Sequence, residues 1–206
     1  MDGYGQPHLR VRSHLRDIPK AVSICEVGPR DGLQNEAVRV STEDKLSFIE
    51  LVSGAGVSEI EVTAFVNPGL VPQMADASEV LTAARLRVDS QLRVLVPNVK
   101  GAQRALASGD EAPPVLLQVI GASETFNQKN VRQTVKESEA ALEVVADLAH
   151  ASGTSVMLSI ACAFGCPYEG AVSVPSIMRL MRTGVDLGIT RAERCDTIGT
   201  ANPMQV

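Results

Sequence analysis

The sequence has few aromatic residues and few histidines. Its 206 residues include no tryptophan, two tyrosines, four phenylalanines and three histidines. A hydrophobic core must therefore be built from Val, Leu, Ile, Ala and Met. No apolar run reaches the roughly 20 residues that a membrane-spanning helix requires. The formal net charge of −5 gives no electrostatic basis for binding nucleic acid. We therefore expect neither a membrane nor a nucleic-acid partner.

Cysteine is also scarce, and its spacing does not suggest a disulfide framework. The four cysteines are Cys25, Cys162, Cys166 and Cys195. This scatter favours a reducing compartment, so we expect a cytoplasmic location, with the mitochondrial matrix as the alternative in a eukaryote. Cys162 and Cys166 could begin a zinc site, but no matching Cys or His pair follows. Buried apolar roles are therefore favoured for both.

The first 20 residues lack the apolar segment of a secretory signal, although they carry several basic side chains. We interpret 1–20 as a poorly ordered leader, with a mitochondrial presequence as the alternative. Residues 21–206 then form the folded part. Its length suits one domain or a large part of a bigger one.

From residue 21 onward, short apolar segments alternate with amphipathic ones. Strands are predicted near 21–25, 59–65, 92–96, 115–120, 155–162 and 190–195. Helices are predicted from the cap at Ser41 to Gly54, and near 76–85, 100–107, 134–151 and 175–187. Residues 121–124 are predicted to be a loop. Because strands and helices alternate without hairpin signals, the class is α/β with a parallel sheet.

Two architectures fit a parallel sheet of this kind, an open doubly wound sheet and a (β/α)8 barrel. The first strand is followed by Gly28-Pro-Arg-Asp-Gly32, which lacks the glycine fingerprint of a dinucleotide-binding fold. We therefore favour a TIM (β/α)8-type barrel. Six strands with five crossover helices would leave it incomplete, two strands short of closure.

Polar side chains follow the predicted strands, at the edge where both architectures place their sites. They are Glu26, Arg30, Asp31, Gln34, Glu61, Thr63, Asn98, Tyr168, Glu169, Asp196 and Thr197. Several acids around one arginine favour a divalent cation with an anionic or carbonyl substrate. A buried charge network, in which Arg30 neutralises Glu61 or Asp196 without chemistry, is the alternative.

Five segments resemble the hydroxymethylglutaryl-CoA lyase family, in the family's order along the chain. They are Glu26–Glu36, Phe65–Met74, Pro97–Gly101, Cys162–Gly170 and Asp196–Gly199. The resemblance implies a TIM barrel that cleaves 3-hydroxy-3-methylglutaryl-CoA to acetoacetate and acetyl-CoA with Mg²⁺ or Mn²⁺. An acyl-CoA thioester is therefore the expected substrate.

The resemblance also implies roles for individual residues. Asp31 would be a metal ligand, and Arg30 would stabilise the enolate that forms as the carbon–carbon bond breaks. Glu61 would orient Arg30 through a charge-assisted hydrogen bond. Asp196 would lie near the substrate hydroxyl and handle a proton. Gln34, Asn98 and Thr197 would bind the substrate together with Arg30.

The sequence also departs from the family pattern. A His-x-His pair, a later Asn ligand and a Cys-bearing glycine-rich loop are absent from these residues, and His8, His14 and His150 are badly placed to replace them. Met157 stands where many family members carry a basic residue. We therefore expect the other metal ligands beyond residue 206, and expect this chain alone to be inactive or impaired.

Two other functions remain open. One is a non-catalytic remnant or an interaction partner of a full-length lyase. The other is an aldolase-type lyase acting on another 3-hydroxyacyl-CoA or a 2-oxo acid. Because an open barrel leaves unpaired strand edges, a homodimer is a possible assembly.

Overall fold

A computed structural model describes residues 20–108 and 113–202. The predicted leader, apart from Lys20, lies outside the described residues. The six strands are β1 Cys25–Glu26, β2 Glu59–Ala64, β3 Gln91–Leu95, β4 Val115–Gly121, β5 Val156–Ala161 and β6 Arg191–Arg194. The α-helices are α1 Thr42–Gly54, α2 Ala77–Arg85, α3 Val99–Leu106, α4 Glu124–Val131, α5 Val135–Ala151 and α6 Val174–Asp186.

All six strands are parallel and neighbour one another in chain order, from β1 to β6. Each connection is a helical crossover, which is the arrangement of a (β/α) barrel. The prediction of an incomplete TIM-type barrel with six parallel strands and five crossovers is therefore confirmed for the described residues.

Only one face of the sheet packs against the helices. Ile60 and Val62 of β2 belong to the main core between sheet and helices, together with Leu46 and Ile49 of α1. The opposite face carries Glu59, Glu61 and Thr63, which are also buried. Because side chains alternate along a strand, these three residues point into the concave side of the sheet. That side is the interior of the partial barrel.

Local sequence signals explain where several helices begin. The side chain of Ser41 caps α1 by accepting a hydrogen bond from the backbone N–H of Asp44 at 3.1 Å. Thr134 and Glu137 form a reciprocal capping box at the start of α5. Asn98 caps α3 in the same way as Ser41.

None of the helices in the described ranges combines the length and apolar character that crossing a lipid bilayer demands.

The first strand differs from its prediction. We predicted a strand over the apolar residues 21–25, whereas β1 contains only Cys25 and Glu26. Val22 is 78% exposed and Ile24 is 65% exposed. The physical reason is that β1 is an edge strand, paired with β2 at two positions only. The apolar sequence alone could not reveal that no neighbour among the described residues covers this segment.

The connection between β4 and β5 also differs from its prediction. We predicted a loop over 121–124, but α4 begins at Glu124, capped by the Ser123 side chain. A buried asparagine of this helix, Asn127, accepts from the backbone N–H of Gly121 and donates to Ser138 Oγ of α5. These tertiary hydrogen bonds hold a short helix whose own sequence has weak apolar periodicity.

Candidate functional site

The turn that follows β1 holds Arg30 between two carboxylates. Residues Gly28–Gly32 form one π-helical turn in which Pro29 is buried. Arg30 Nε donates to Glu61 Oε1, and Arg30 Nη1 donates to Asp31 Oδ1 at 2.7 Å. The Arg30 side chain is 13% exposed and that of Asp31 is 56% exposed. The guanidinium is therefore fixed on two sides, and its Nη2 makes no hydrogen bond to the described residues.

The partner of Arg30 lies deeper in the barrel. Glu61 belongs to the middle of β2 rather than to its end, and its side chain is fully buried. Its second oxygen, Oε2, lies 2.8 Å from both Nε and Nη2 of Arg93 on β3. Arg93 Nη1 in turn lies 3.4 Å from Glu193 Oε2 of β6. We call Arg30, Glu61, Arg93 and Glu193 the interior charge network.

Charges in this network shift the ionisation of its members and of a neighbouring thiol. Burial alone lowers the pKa of Arg93, but the carboxylates of Glu61 and Glu193 raise it above its ordinary value. Burial raises the pKa of Cys25 to about 11, against the opposing field of Arg93. Arg93 therefore stays charged at any physiological pH, and Cys25 stays a neutral thiol.

The other predicted substrate residues are engaged in local contacts. Asn98 Oδ1 accepts from the backbone N–H of Gly101 at 3.0 Å, as the cap of α3. Thr197 Oγ1 accepts from the backbone N–H of Cys162 at 2.7 Å, which ties the loop after β6 to the end of β5. The two oxygens of Asp196 accept from the backbone N–H groups of Thr200 and Ala201.

Gln34 differs from these residues because part of its side chain lacks a partner. Its Oε1 is buried and makes no hydrogen bond to the residues that the structure describes. A buried, unpaired acceptor close in sequence to Arg30 and Asp31 is suited to a polar group of a ligand.

The structure brings Arg30 into direct contact with both Asp31 and Glu61, whereas Asn98, Thr197 and Asp196 make hydrogen bonds that shape the loops. The carboxylate partners of Arg30 are Glu61 and Asp31, and Asp196 is not one of them.

The loop after β5 is held both by its own backbone hydrogen bonds and by contacts with the start of α4. The backbone N–H groups of Cys166 and Gly170 each donate to the other's carbonyl oxygen, at 2.8 and 2.9 Å. Glu169 Oε1 accepts from the backbone N–H of Thr125 at 2.7 Å. Cys166 Sγ lies 2.9 Å from Ser123 Oγ. These contacts leave Tyr168 53% exposed at the loop surface.

A cavity of about 260 Å³ lies at the carboxyl ends of β2 and β3, lined by Phe65, Asn67, Pro97, Asn98, Lys100 and Arg104 among others. Arg104 closes one side, donating to the carbonyl of Val66 at 3.1 Å and stacking 5.5 Å from the Phe65 ring centre. Gly101 permits this packing, because a Cβ there would lie 2.8 Å from the Phe65 carbonyl oxygen.

The residues present fit only part of a divalent-metal site. Asp31 offers a hard, exposed oxygen of the kind that Mg²⁺ prefers. Within the described ranges, however, no three or more His, Cys, Asp or Glu side chains are grouped closely enough to hold a metal ion. His150 is exposed on α5, and His8 and His14 lie outside the described residues. One carboxylate cannot complete an octahedral shell.

Sequence reasoning missed two members of the interior charge network, Arg93 and Glu193. For Arg93 a signal was available, because it is a charged residue in the centre of a short strand between Leu92 and Val94. Glu193 gave no such signal, since it lies between Ala192 and Arg194 in a strand rich in charged residues. What the sequence could not give was the strand register that pairs Arg93 with Glu61. Nor could it give the curvature that brings β6 across to β3.

Comparison with known proteins gives consistent matches. The HMGL-like family model matches residues 21–206. The mitochondrial hydroxymethylglutaryl-CoA lyase of Macaca fascicularis is 40% identical over 192 residues, covering 93% of this chain and 58% of the relative. The chain therefore spans somewhat more than half the length of that relative.

Solved structures agree in fold as well as in sequence. The HMG-CoA lyase of Bacillus subtilis superposes with a TM-score of 0.83 at 39% identity, covering 91% of this chain and 62% of that chain. An HMG-CoA lyase from Acinetobacter baumannii, in complex with coenzyme A and 3-methylmalate, has a TM-score of 0.83 at 36% identity. That match covers 89% of this chain and 59% of the other.

Proposed function

The chain belongs to the HMGL-like family, and from that premise we propose that it takes part in metal-assisted cleavage of a carbon–carbon bond in 3-hydroxy-3-methylglutaryl-CoA. The products would be acetoacetate and acetyl-CoA. The observation that carries the proposal is the placement of Arg30, whose guanidinium is anchored by Glu61 and Asp31 and keeps Nη2 available. A relative that binds coenzyme A supports an acyl-CoA thioester as the substrate.

The chemistry of cleavage explains why a fixed arginine is needed. When the bond between the second and third carbons of the acyl group breaks, its electron pair becomes the enolate of the acetyl thioester. Arg30 would donate hydrogen bonds to that enolate oxygen and stabilise the developing negative charge. Because Glu61 and Asp31 hold the guanidinium in place, little reorganisation would be required as the charge forms.

The remaining predicted residues would act around Arg30. Gln34 would offer its unpaired Oε1 to a polar hydrogen of the substrate. Asn98 and Thr197 would bind the substrate from loops that their own hydrogen bonds fix. Asp196 would accept the proton of the substrate hydroxyl, since each of its oxygens keeps a lone pair beside its backbone hydrogen bond.

We propose Mg²⁺ or Mn²⁺ as the cofactor, with Asp31 as one ligand. When bound, such an ion polarises the substrate oxygens and lowers the pKa of the hydroxyl. The other ligands would have to come from residues outside the described ranges. A cytoplasmic or mitochondrial-matrix location fits the four free cysteines. A homodimer fits the outer edges of β1 and β6, with which no other strand of residues 20–108 and 113–202 pairs.

The test uses binding and turnover of the same thioester. We expect 3-hydroxy-3-methylglutaryl-CoA to bind in titration calorimetry with Mg²⁺ present, and Arg30→Met to weaken binding about tenfold or more. Arg179→Met, which removes an exposed arginine of α6, is the matched control. Release of acetoacetate from the thioester is assayed in parallel, and cleavage of 2-oxo acids is assayed separately as the alternative activity. If neither Arg30→Met nor Mg²⁺ affects binding, the proposal is wrong.

A non-catalytic role is the second candidate, favoured because no three or more candidate metal ligands are grouped together in the described part of the chain. In that case the chain would bind the thioester, or assemble with a complete lyase, without releasing acetoacetate. Thioester binding that depends on Arg30 but gives no turnover would favour this candidate.

A further inference from the structure

We propose that Arg93, in the centre of β3, is a positioning residue for Arg30 and acts through Glu61. The proposal rests on the function proposed above for Arg30. Arg93 and Glu61 are direct partners in the register between β2 and β3. Among the described residues, no hydrogen bond joins Arg93 to Arg30 or Asp31. The influence of Arg93 on the site therefore has to pass through the Glu61 carboxylate.

Glu61 is shared between two guanidinium groups, one for each oxygen. Oε1 accepts from Arg30 Nε, and Oε2 accepts from Arg93 at 2.8 Å. The terminal torsion of a glutamate is soft and broad, so a carboxylate held through one oxygen can still rotate. Contacts on both oxygens fix the carboxylate plane. The direction in which Arg30 Nε points is therefore set partly by Arg93.

Arg93 is itself anchored at its far end. Its side chain is 5% exposed, and Nη1 lies 3.4 Å from both Glu193 Oε2 and Met157 Sδ. These contacts come from β6 and β5, on the opposite wall of the partial barrel. Arg93 thus links Glu61 to β5 and β6, which stand at the other end of the sheet order from β1.

The charge balance gives Arg93 a second effect. A fully buried carboxylate needs a compensating charge, and its removal from water is costly if it stands alone. Were Arg30 the sole partner of Glu61, the carboxylate would compete with a substrate oxyanion for the Arg30 charge. Because Arg93 also compensates Glu61, Arg30 can share its charge with a ligand while Glu61 stays paired.

The experiment follows the Nε–H group of Arg30 by NMR in the uniformly ¹⁵N-labelled chain. The signal is assigned by its absence from Arg30→Lys, and its hydrogen-exchange rate is measured in each variant. Arg93→Met removes the proposed positioning group. Arg93→Gln leaves an amide donor for Glu61 Oε2 and so disturbs the core less. Arg191→Met is the control, because Arg191 is another strand arginine that pairs with a glutamate of β2, but its partner is Glu59, one layer below Glu61.

We expect Arg30 Nε–H to exchange about tenfold faster in Arg93→Met and several-fold faster in Arg93→Gln, since a fixed carboxylate protects it. Exchange at Arg30 in Arg191→Met should match the wild type. A general loss of stability in the interior would instead make exchange faster in this variant as well. If Arg93→Met does not fold, Arg93→Gln decides the question. A folded Arg93→Gln chain with wild-type exchange at Arg30 overturns the proposal.

A second readout separates this proposal from the proposed lyase function. Thioester affinity should fall in Arg93→Gln and stay unchanged in Arg191→Met, whereas exchange at Arg30 is measured without any ligand. Faster exchange without thioester binding by the wild type would mean that Arg93 positions Arg30 but that the ligand was wrongly assigned. Unchanged exchange with normal binding would leave the proposed function standing and remove Arg93 from it.

Discussion

Glu59 of β2 accepts a hydrogen bond from Arg191 of β6 at 2.5 Å, although the two strands are not neighbours in the sheet. The contact spans the concave side of six strands and can form only because the sheet curves. The pair lies one layer below Glu61 and Arg93, which connect the same walls through Glu193. Two layers of ion pairs therefore cross the interior of the partial barrel.

The first prediction concerns this cross-barrel pair. Arg191→Met and Glu59→Gln should each destabilise the chain, and a double-mutant cycle should give a coupling of about 1 kcal/mol, since the Arg191 side chain is 41% exposed and partly screened. The free energies come from urea unfolding. Raising the salt concentration to about 1 M should reduce the coupling. Additive effects of the two substitutions would mean that the contact does not stabilise the curvature.

The second prediction concerns a buried ion pair that holds the loop after β2 against α1. Lys45 Nζ donates to Asp76 Oδ1 at 2.6 Å and to the carbonyl of Gln73 at 2.5 Å, and both charged side chains are nearly inaccessible. Lys45→Met should lower the free energy of unfolding by about 3–5 kcal/mol, because Asp76 is left buried without a compensating charge. The remaining hydrogen bond from Thr42 Oγ1 to Asp76 Oδ2 is neutral on the donor side and does not replace that charge.

Arg179→Gln provides the control for Lys45. It breaks the exposed ion pair between Arg179 and Glu139, and should cost less than about 1 kcal/mol. Both values come from chemical denaturation of the same chain. Equal losses for the two variants would contradict the assignment of Lys45 as a buried anchor.

The third prediction concerns Asn127, which is fully buried and binds Gly121, Gln133 and Ser138. Asn127→Ala leaves these groups without their partner and should cost at least about 2 kcal/mol. Amide hydrogen exchange over α4 should then rise to the rate of an open loop. Asn130→Ala, at an exposed position of the same helix, should leave exchange nearly unchanged.

The fourth prediction concerns the close approach of α3 to the end of β2. Gly101→Ala would place a methyl group 2.8 Å from the Phe65 carbonyl oxygen and should destabilise the chain by about 1–3 kcal/mol. Gly54→Ala, at the last residue of α1 with open space around it, should instead stabilise by about 0.5–1 kcal/mol. Thermal unfolding of the two variants gives the comparison, and shifts of the same sign would argue against the close contact.

The fifth prediction is a pH dependence. Burial raises the pKa of Cys25 to about 11, so its thiol stays protonated in the folded chain where an unfolded thiol already ionises. Its contribution to stability is therefore complete below about pH 9 and is lost as the pH rises from 9 towards 11. Iodoacetamide labelling of Cys25, followed by mass spectrometry, should still accelerate above about pH 10 in the folded chain. In urea the same labelling should level off near pH 10.

Much of the fold followed from local sequence pattern, and the exceptions have physical causes. Strands β2 to β6 and helices α1 to α3, α5 and α6 lie within one or two residues of their predicted positions, because apolar periodicity and capping residues such as Thr134 are local signals. The strand prediction for the segment before Cys25 was wrong, because the exposure of an edge strand depends on which neighbours it has. Helix α4 was missed because Asn127 stabilises it through tertiary hydrogen bonds.

The candidate site divides in the same way. The sequence by itself determined the parallel α/β order, the family, and the turn that carries Arg30 and Asp31, since each depends on residues close together along the chain. Only the tertiary structure decided that Glu61 is shared with Arg93, that β6 supplies Glu193, and that Asp196 is engaged by its own turn. Those relationships depend on strand register and sheet curvature, which arise from packing the whole sheet and are not encoded in any single segment.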